Sequence, residues 1–334
     1  MIPTPDANAM STTNLPDYNG YFRQRTALVT GGAGFIGSHI AQRLLDLGAT
    51  VRVLDDLSSG YEHNVPEGAE FIRASILDDA DLRRAIEGCE FIFHEGAMVS
   101  VPMSVGEPQR CVQVNIVGTE RVAEAAKDLG VKRLVFAASS AAYGEKAQLP
   151  SKEEHVLDCC SPYAATKAAG EVLLTAFSHC YDLSTISLRY FNVYGPRQDP
   201  KSPYAAAISA FADCLLTGRQ PTVFGTGQQT RDFVHVANVV HANLLGACCE
   251  KDLRGEVVNV GLGERVSLLE ILDLMGEILG VQVAPAFGPP RPGDVPHTLA
   301  DISYTRSLIG YDPVVNFADG LRETIEWMRE KAAA

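Results

Sequence analysis

From Thr26 onward, short β-branched or aromatic runs alternate with stretches of helical period. TALVT leads into SHIAQRLLDLG, and TVRVLDD follows. EFIRAS leads into DADLRRAIEG, then EFIFHEGA leads into a long helical pattern over about 109–129. Runs bounded by turn residues read as buried strands, and the intervening 3.6-residue period reads as helices packed on them. Parallel strands need crossovers long enough for a helix, so the alternation predicts an α/β fold built on a parallel sheet. RLVFAASS, a helix from about Tyr163, TISLRYFNVYG and VVNVG continue the rhythm. The expectation is about seven strands with right-handed crossovers, a Rossmann-type doubly wound sheet.

The rhythm is framed by two breaks. Residues 1–24 are rich in Pro, Asn, Asp and Thr without a sustained period, and read as an N-terminal extension outside the main core. After Gly195 come GPRQDPKSP, GRQPTVFGTGQQ and FGPPRPGDVP with short helices between them, which read as a smaller region covering the first. VVNVG still reads as a buried strand, so the two regions interleave. The doubly wound domain is expected over residues 25–190, rejoined by about 234–262, with the smaller region over 191–233 and 263–334.

The chain has 334 residues, 46% of them hydrophobic, enough apolar material for a large core and incompatible with disorder. Its 28 basic and 41 acidic residues leave a net charge of −13, which repels phosphate backbones and anionic lipid at long range. Nucleic acid and membrane surfaces are therefore not expected partners, although a few placed arginines can still hold a small anion. The 8 cysteines include no CxxC spacing, and His94, His155 and His235 are scattered, so neither structural disulfides nor a metal site is expected. No apolar run reaches the ~18 residues of a membrane span and no signal-peptide core is present, so a cytoplasmic protein is expected.

The candidate chemistry gathers at strand ends. TALVT runs directly into Gly31-Gly32-Ala33-Gly34-Phe35-Ile36-Gly37 and then a helix, the context that a dinucleotide fingerprint requires. Gly31 allows the tight turn, Gly34 lets the backbone approach a pyrophosphate, and Gly37 lets helix and strand pack closely. The second strand ends at Asp55-Asp56, where a carboxylate can accept from a ribose diol and would repel a 2′-phosphate, favouring NAD over NADP. Ser161-Pro162 is a strong helix start and puts Tyr163 and Lys167 on one face. A YxxxK spacing alone is cheap in a chain with 11 tyrosines. RLVFAASS, however, presents Ser139 and Ser140 at the same sheet edge. Tyr163 then reads as a general base favoured by a neighbouring ammonium, with Ser139 hydrogen-bonding the substrate hydroxyl and Lys167 also able to hold a ribose.

With these motifs in view, the chain resembles the extended short-chain dehydrogenase/reductases, and within them the nucleotide-sugar 4-epimerases acting on UDP-hexoses. The resemblance runs from about Ala27 to Met328 and rests on GGAGFIG at 31–37, LDDLSSG at 54–60, VNIVGT around Asn115, SSAAYG at 139–144, SPYAATK at 161–167, RYFNVYGPRQDP at 189–200, TRDFVHV at 230–236 and RPGDVPHTLADIS at 291–303. It implies a catalytic triad of Ser139, Tyr163 and Lys167. It also implies NAD held by Gly31, Gly34, Phe35, Ile36, Gly37, Asp55, Asp56, Ser75, Ile76, Asn115, Tyr163, Lys167 and Phe191. On the substrate side it implies Val99, Ser100, Ser139, Ser140, Tyr163, Asn192, Gln198, Val223, Phe224, Gly225, Arg231, Arg291, Asp294 and Thr298, with Asn192, Arg231 and Arg291 on the UDP diphosphate.

The resemblance further implies transient oxidation at C4, turning of the 4-keto sugar about its diphosphate link, and return of the hydrogen to the opposite face. Related dehydratases carry an Asp-Glu pair after the catalytic Ser or Thr; here Ser140-Ala141 stand there, which argues against elimination. At the Thr298 position a Tyr resembles enzymes restricted to UDP-glucose and UDP-galactose. The smaller Thr298 implies UDP-N-acetylglucosamine and UDP-N-acetylgalactosamine, with the non-acetylated pair also open. A uronate epimerase, decarboxylase or 4-reductase on the same scaffold, or a non-catalytic nucleotide-binding regulator, stays as the alternative. Two departures stand out: Ser75 replaces the usual adenine-binding Asp, and Glu95 follows His94 where small or apolar residues are commoner. The helices over 109–129 and 163–181 carry Val112, Ile116, Val122, Val172, Leu173 and Phe177 at helical spacing. The resemblance implies that part of this set forms a homodimer through a four-helix bundle.

Overall fold

The structure, a computed structural model, describes residues 17–200, 207–290 and 295–333. In the first half of the chain the elements run β1 (Thr26–Thr30), α1 (Phe35–Asp46), β2 (Thr50–Leu54), β3 (Glu70–Ile72), α2 (Asp79–Ile86), β4 (Phe91–His94), α3 (Val101–Gly106), α4 (Pro108–Val112), α5 (Gly118–Asp128), β5 (Arg133–Ser139) and α6 (Pro162–Tyr181). They continue as β6 (Thr185–Tyr190), β7 (Asn192–Tyr194), α7 (Ala207–Leu216), β8 (Thr222–Phe224), β9 (Thr230–Arg231), β10 (Phe233–His235), α8 (Val236–Cys248), β11 (Arg254–Val260), β12 (Val266–Ser267), α9 (Leu268–Leu279), β13 (Ala286–Gly288), α10 (Ser303–Ile309) and α11 (Phe317–Ala333). Seven strands form one parallel sheet in the order β11-β6-β5-β4-β1-β2-β3, the Rossmann-type arrangement expected from the strand–helix alternation.

Strand side chains alternate between two cores, as the twofold period requires. Ala27 and Val29 of β1, Phe91 and Phe93 of β4 and Ile186 and Leu188 of β6 pack with Ile40 and Leu44 of α1 and Val239 and Val240 of α8. Leu28, Ile92, Leu134 and Phe136 face the other way, onto Leu82 and Ile86 of α2, Val122 and Ala126 of α5 and Leu174 of α6. A third core joins Phe211 of α7, Ile271 and Met275 of α9 and Leu321 and Ile325 of α11 in the covering region. The order reverses between β4 and β1, and a doubly wound sheet binds its ligand at the carboxyl ends of the strands beside such a reversal.

Two local expectations are corrected. Residues 17–24 do not stand outside the core: Phe22 has no exposure, and Tyr18 shares a 2.8 Å hydrogen bond with His241 Nδ1. Phe22 meets Phe91 edge-to-face, so isolated aromatics anchor the segment although it has no period to reveal them. The single helix expected over 109–129 is instead α4, a π-helical turn over Gln113–Val117, and α5. That widened turn carries Asn115, which is buried beneath the site.

Candidate active site

Above the reversal lies a cavity of about 1080 Å³, lined among others by Gly31, Gly34, Phe35, Ile36, Gly37, Asp55, Asp56, Ser75, Ile76, Ser139, Tyr163, Lys167 and Phe191. The structure therefore brings together residues from the ends of β1, β2, β3, β5 and β6 and the start of α6. Gly31 sits at φ +68°, and a Cβ there would lie 2.7 Å from Gly96 N; one on Gly37 would lie 2.3 Å from Gly31 O. Gly34 caps α1 without a side-chain acceptor, leaving the first-turn N–H groups facing the cavity wall for an anion. Asp55 Oδ2 accepts from Ala33 N at 3.0 Å and Oδ1 accepts from Leu57 N at 2.8 Å, so this carboxylate braces the glycine turn. Burial raises its pKa above the usual carboxylate value, against those two bonds. Gln198 Oε1 is buried on the same wall without a hydrogen-bond partner among the described residues, an acceptor waiting for a ligand donor.

Tyr163 and Lys167 reach the cavity because α6 starts where the sequence indicates: Ser161 accepts from Ala164 N, and Pro162 occupies the first turn. Lys167 Nζ donates to Ala137 O at 2.7 Å and lies 4.9 Å from the centre of the Phe136 ring. Ser139 Oγ accepts from Ala141 N at 3.2 Å, and Ser139 and Tyr163 line the same cavity. In the free chain burial pushes the Tyr163 phenol upward, the nearby Ser139 hydroxyl pulls it down, and Glu95 pushes it up again. Desolvation thus outweighs the activation that spacing alone suggests. Burial pushes Lys167 down to about 8, opposed by the negative charge of Glu95. Asn115 Nδ2 donates to Met98 O and Thr166 Oγ1 while Oδ1 accepts from Met98 N, tying the π-turn to α6 and the post-β4 loop.

Of the residues that the resemblance assigns to substrate, Val99, Ser100 and Gln198 line the cavity. Ser140 begins the short turn after β5. Asn192, Arg231 and Thr298 form a second group around Asp232: Asn192 Nδ2 donates to Asp232 O and Thr298 Oγ1, and Asp232 N donates to Thr298 Oγ1. Arg231 Nη1 donates to Thr230 O and Pro296 O. The Asp232 carboxylate accepts from Leu262, Gly263 and Ala300 N–H groups, and burial pushes it up to about 6. Val223 of β8 is fully buried in the third core, so its side chain packs the covering region instead of facing the cleft. Phe224 and Gly225 lie at the β8–β13 edge, where Gly225 N donates to Gly288 O. Arg291 and Asp294 fall outside the described residues. Glu95, Tyr61, Tyr190 and Asp199 line the cavity without having been read as site residues. Tyr61 OH donates to Asp199 Oδ2 at 2.7 Å across a sequence separation that no local pattern could signal. Tyr190 was legible only as part of RYFN.

Residues 27–261 match the NAD dependent epimerase/dehydratase family. The chain belongs to that family. A UDP-glucose 4-epimerase of Mycolicibacterium smegmatis is 40% identical over 313 residues, 91% of this chain and 99% of the relative. Among solved structures, a UDP-N-acetylglucosamine 4-epimerase from Methanobrevibacter ruminantium M1, in complex with UDP-N-acetylmuramic acid, superposes with a TM-score of 0.88 at 39% identity, covering 92% of this chain and 99% of the other. A UDP-glucose 4-epimerase of Thermus thermophilus in complex with NAD gives 0.83 at 37% identity, covering 91% and 99%. The family is NAD-dependent, and the glycine cradle, the uncapped α1 and the carboxylates after β2 fit that cofactor here. Among the described residues no helix is long and apolar enough to cross a membrane.

Proposed function

We propose that this protein interconverts UDP-hexoses that differ only at C4. The observation that carries the reading is the placement of Ser139, Tyr163 and Lys167 on the wall of the cavity that holds the glycine turn. NAD, when bound, supplies a reversible acceptor for the C4 hydrogen. Tyr163 withdraws the C4 hydroxyl proton, and Ser139, on the same cavity wall, holds that hydroxyl in line. Lys167, fixed on Ala137 O, orients the ribose side and contributes positive charge that favours the phenolate. Asn192, Arg231 and Arg291 anchor UDP while the hexose turns. Incubating pure protein with each UDP-sugar and separating the C4 epimers tests the reading; stoichiometric NADH or CO₂ would instead indicate a reductase or decarboxylase.

The preferred pair in this reading is UDP-N-acetylglucosamine and UDP-N-acetylgalactosamine, with UDP-glucose and UDP-galactose as secondary substrates, because Thr298 is small. Its hydroxyl accepts from both Asn192 and the Asp232 backbone, so it also fixes the proposed diphosphate ligand. Thr298→Tyr is expected to cut kcat/KM on the acetylated pair about 10–100-fold more than on the other pair, the range of a steric conflict of about 1–3 kcal/mol. Equal loss on both pairs contradicts the gate, and Thr298→Ser, which keeps the hydroxyl acceptor and adds no bulk, serves as the control.

The assembly that fits this chain is a homodimer formed by the outer faces of α4–α5 and α6. Val122 is buried in the sheet core, whereas Val172 is 70% exposed, and Val112, Leu129 and Tyr181 are exposed as well. Exposed apolar residues on α4 and α6 are what a four-helix interface would cover. Sedimentation equilibrium is expected to give twice the chain mass; a monomer at micromolar concentration contradicts it.

A further inference from the structure

Glu95 has no place in the mechanism above, yet it is among the most constrained residues of the cavity. It follows β4 directly, its own N–H donates to Thr30 O at 3.2 Å, and the next N–H, of Gly96, donates to Thr30 Oγ1 at 3.1 Å. Its backbone is thus pinned to β1 at the point where the strand order reverses. Its side chain is pinned as well. Buried Asn243 donates from Nδ2 to Tyr190 OH at 2.8 Å, which fixes the phenol proton on the other side, and Tyr190 OH donates to Glu95 Oε1 at 2.7 Å. Two donors in series, aimed at one oxygen, form a holder for a carboxylate. Glu95, Tyr163, Lys167 and Tyr190 line the same cavity.

We propose that Glu95 is a positioning residue for the C4 reaction: its carboxyl group, held by Tyr190, which Asn243 orients, on the wall shared with Tyr163 and Lys167, is the counter-charge that sets the pH window in which that pair passes a proton. The inference rests on the epimerase reading and deepens it. Burial pushes Glu95 up to about 7, while the Tyr190 bond and the Lys167 charge draw it down. Glu95 in turn supports the Lys167 ammonium against burial and raises the Tyr163 phenol. The other groups facing this cluster are accounted for. Glu171 and Cys111 also favour the ammonium, and buried His94, pushed down to about 3, stays neutral between its bonds to Thr30 and Thr119.

The sign follows from the charges. Removing the carboxylate withdraws support from the Lys167 ammonium, which then deprotonates at lower pH. It also withdraws repulsion from the Tyr163 phenolate, which then forms at lower pH. Both limbs of the rate profile therefore move down together. Charges separated by about one side-chain length on a protein surface or cavity wall commonly shift one another by about one pH unit.

The test uses the NAD-loaded protein and two readouts. The first is the phenolate absorbance of each protein minus that of its Tyr163→Phe counterpart, which follows Tyr163 without any turnover; the second is kcat against pH. In Glu95→Gln, which keeps an acceptor for Tyr190, the Tyr163 ionisation and both kcat limbs are expected about one pH unit below the wild type. Glu95→Asp, which keeps the charge, is expected to stay near the wild-type profile. Tyr190→Phe, which removes the donor and favours the neutral acid, is expected to shift in the same direction as Glu95→Gln by a smaller amount. Unmoved Tyr163 ionisation in both Glu95→Gln and Tyr190→Phe, or an equal shift in Glu95→Asp, overturns the proposal. A wild type that turns over no UDP-sugar overturns the epimerase reading, and the absorbance titration still decides the electrostatic one.

Discussion

Tyr163→Phe is expected to lower kcat by about 10²–10⁴-fold, the usual contribution of a positioned general base. The change removes one oxygen from a ring on the cavity wall, and the Ser161 cap bonds Ala164 N rather than the ring, so the backbone of α6 should remain in place. KM for the UDP-sugar should move little, because the groups proposed to hold the diphosphate belong to other elements. Retained NAD and unchanged unfolding would show that the fold survives. The split between kcat and KM is the informative part: a residue that merely shaped the pocket would raise KM at nearly constant kcat. Near-normal turnover in Tyr163→Phe contradicts the assignment.

The second large effect concerns stability. Glu171 of α6 and Arg189 of β6 form a two-armed ion pair, Nε to Oε1 and Nη2 to Oε2, both at 2.8 Å, with side chains only 4% and 5% exposed. Arg189 Nη1 also donates to Glu153 O, and its guanidinium lies 4.8 Å from the centre of the Tyr143 ring. Glu171→Ala strands a buried guanidinium and is expected to cost about 3–5 kcal/mol, read as a lower denaturant midpoint at unchanged slope. The pair itself is worth much less than that, because both ions were taken from water to make it. Replacing Glu171 and Arg189 together with Leu and Met should therefore recover most of the loss. A fall below about 1 kcal/mol in Glu171→Ala would place this pair in the same class as exposed surface bridges such as Arg83–Asp79.

What the sequence could reveal divides by the range of the physics. The doubly wound sheet was legible because each strand carries its own apolar period and each crossover its own helical one, as in TALVT before SHIAQRLLDLG. The glycine turn and the start of α6 were legible because each carries a local signal: a Gly-rich turn directly after a strand, with no room for a Cβ at Gly31, and an acceptor at Ser161 three residues ahead of the N–H that it caps. Phe22 was not, since one aromatic in a polar stretch has no pattern and is fixed only by meeting Phe91. The Tyr61–Asp199 bond and the Asn243–Tyr190–Glu95 chain were equally invisible, because they join residues that only the closed fold brings together. Glu95 did leave a signal, a carboxylate in an apolar post-strand position, but its partners were needed to give it meaning. Thr298 was expected near the sugar only through the resemblance; it is not among the residues lining the cavity, and its hydroxyl is shared by Asn192 and the Asp232 backbone.

The most direct test is conversion of a UDP-hexose carrying deuterium at C4. If the hydrogen withdrawn beside Tyr163 is returned to the same sugar on its opposite face, the C4 epimer will carry the label in full and no NADH will accumulate. Epimer that has lost its deuterium to water, or no epimer of any UDP-hexose from folded protein holding NAD, would contradict that claim.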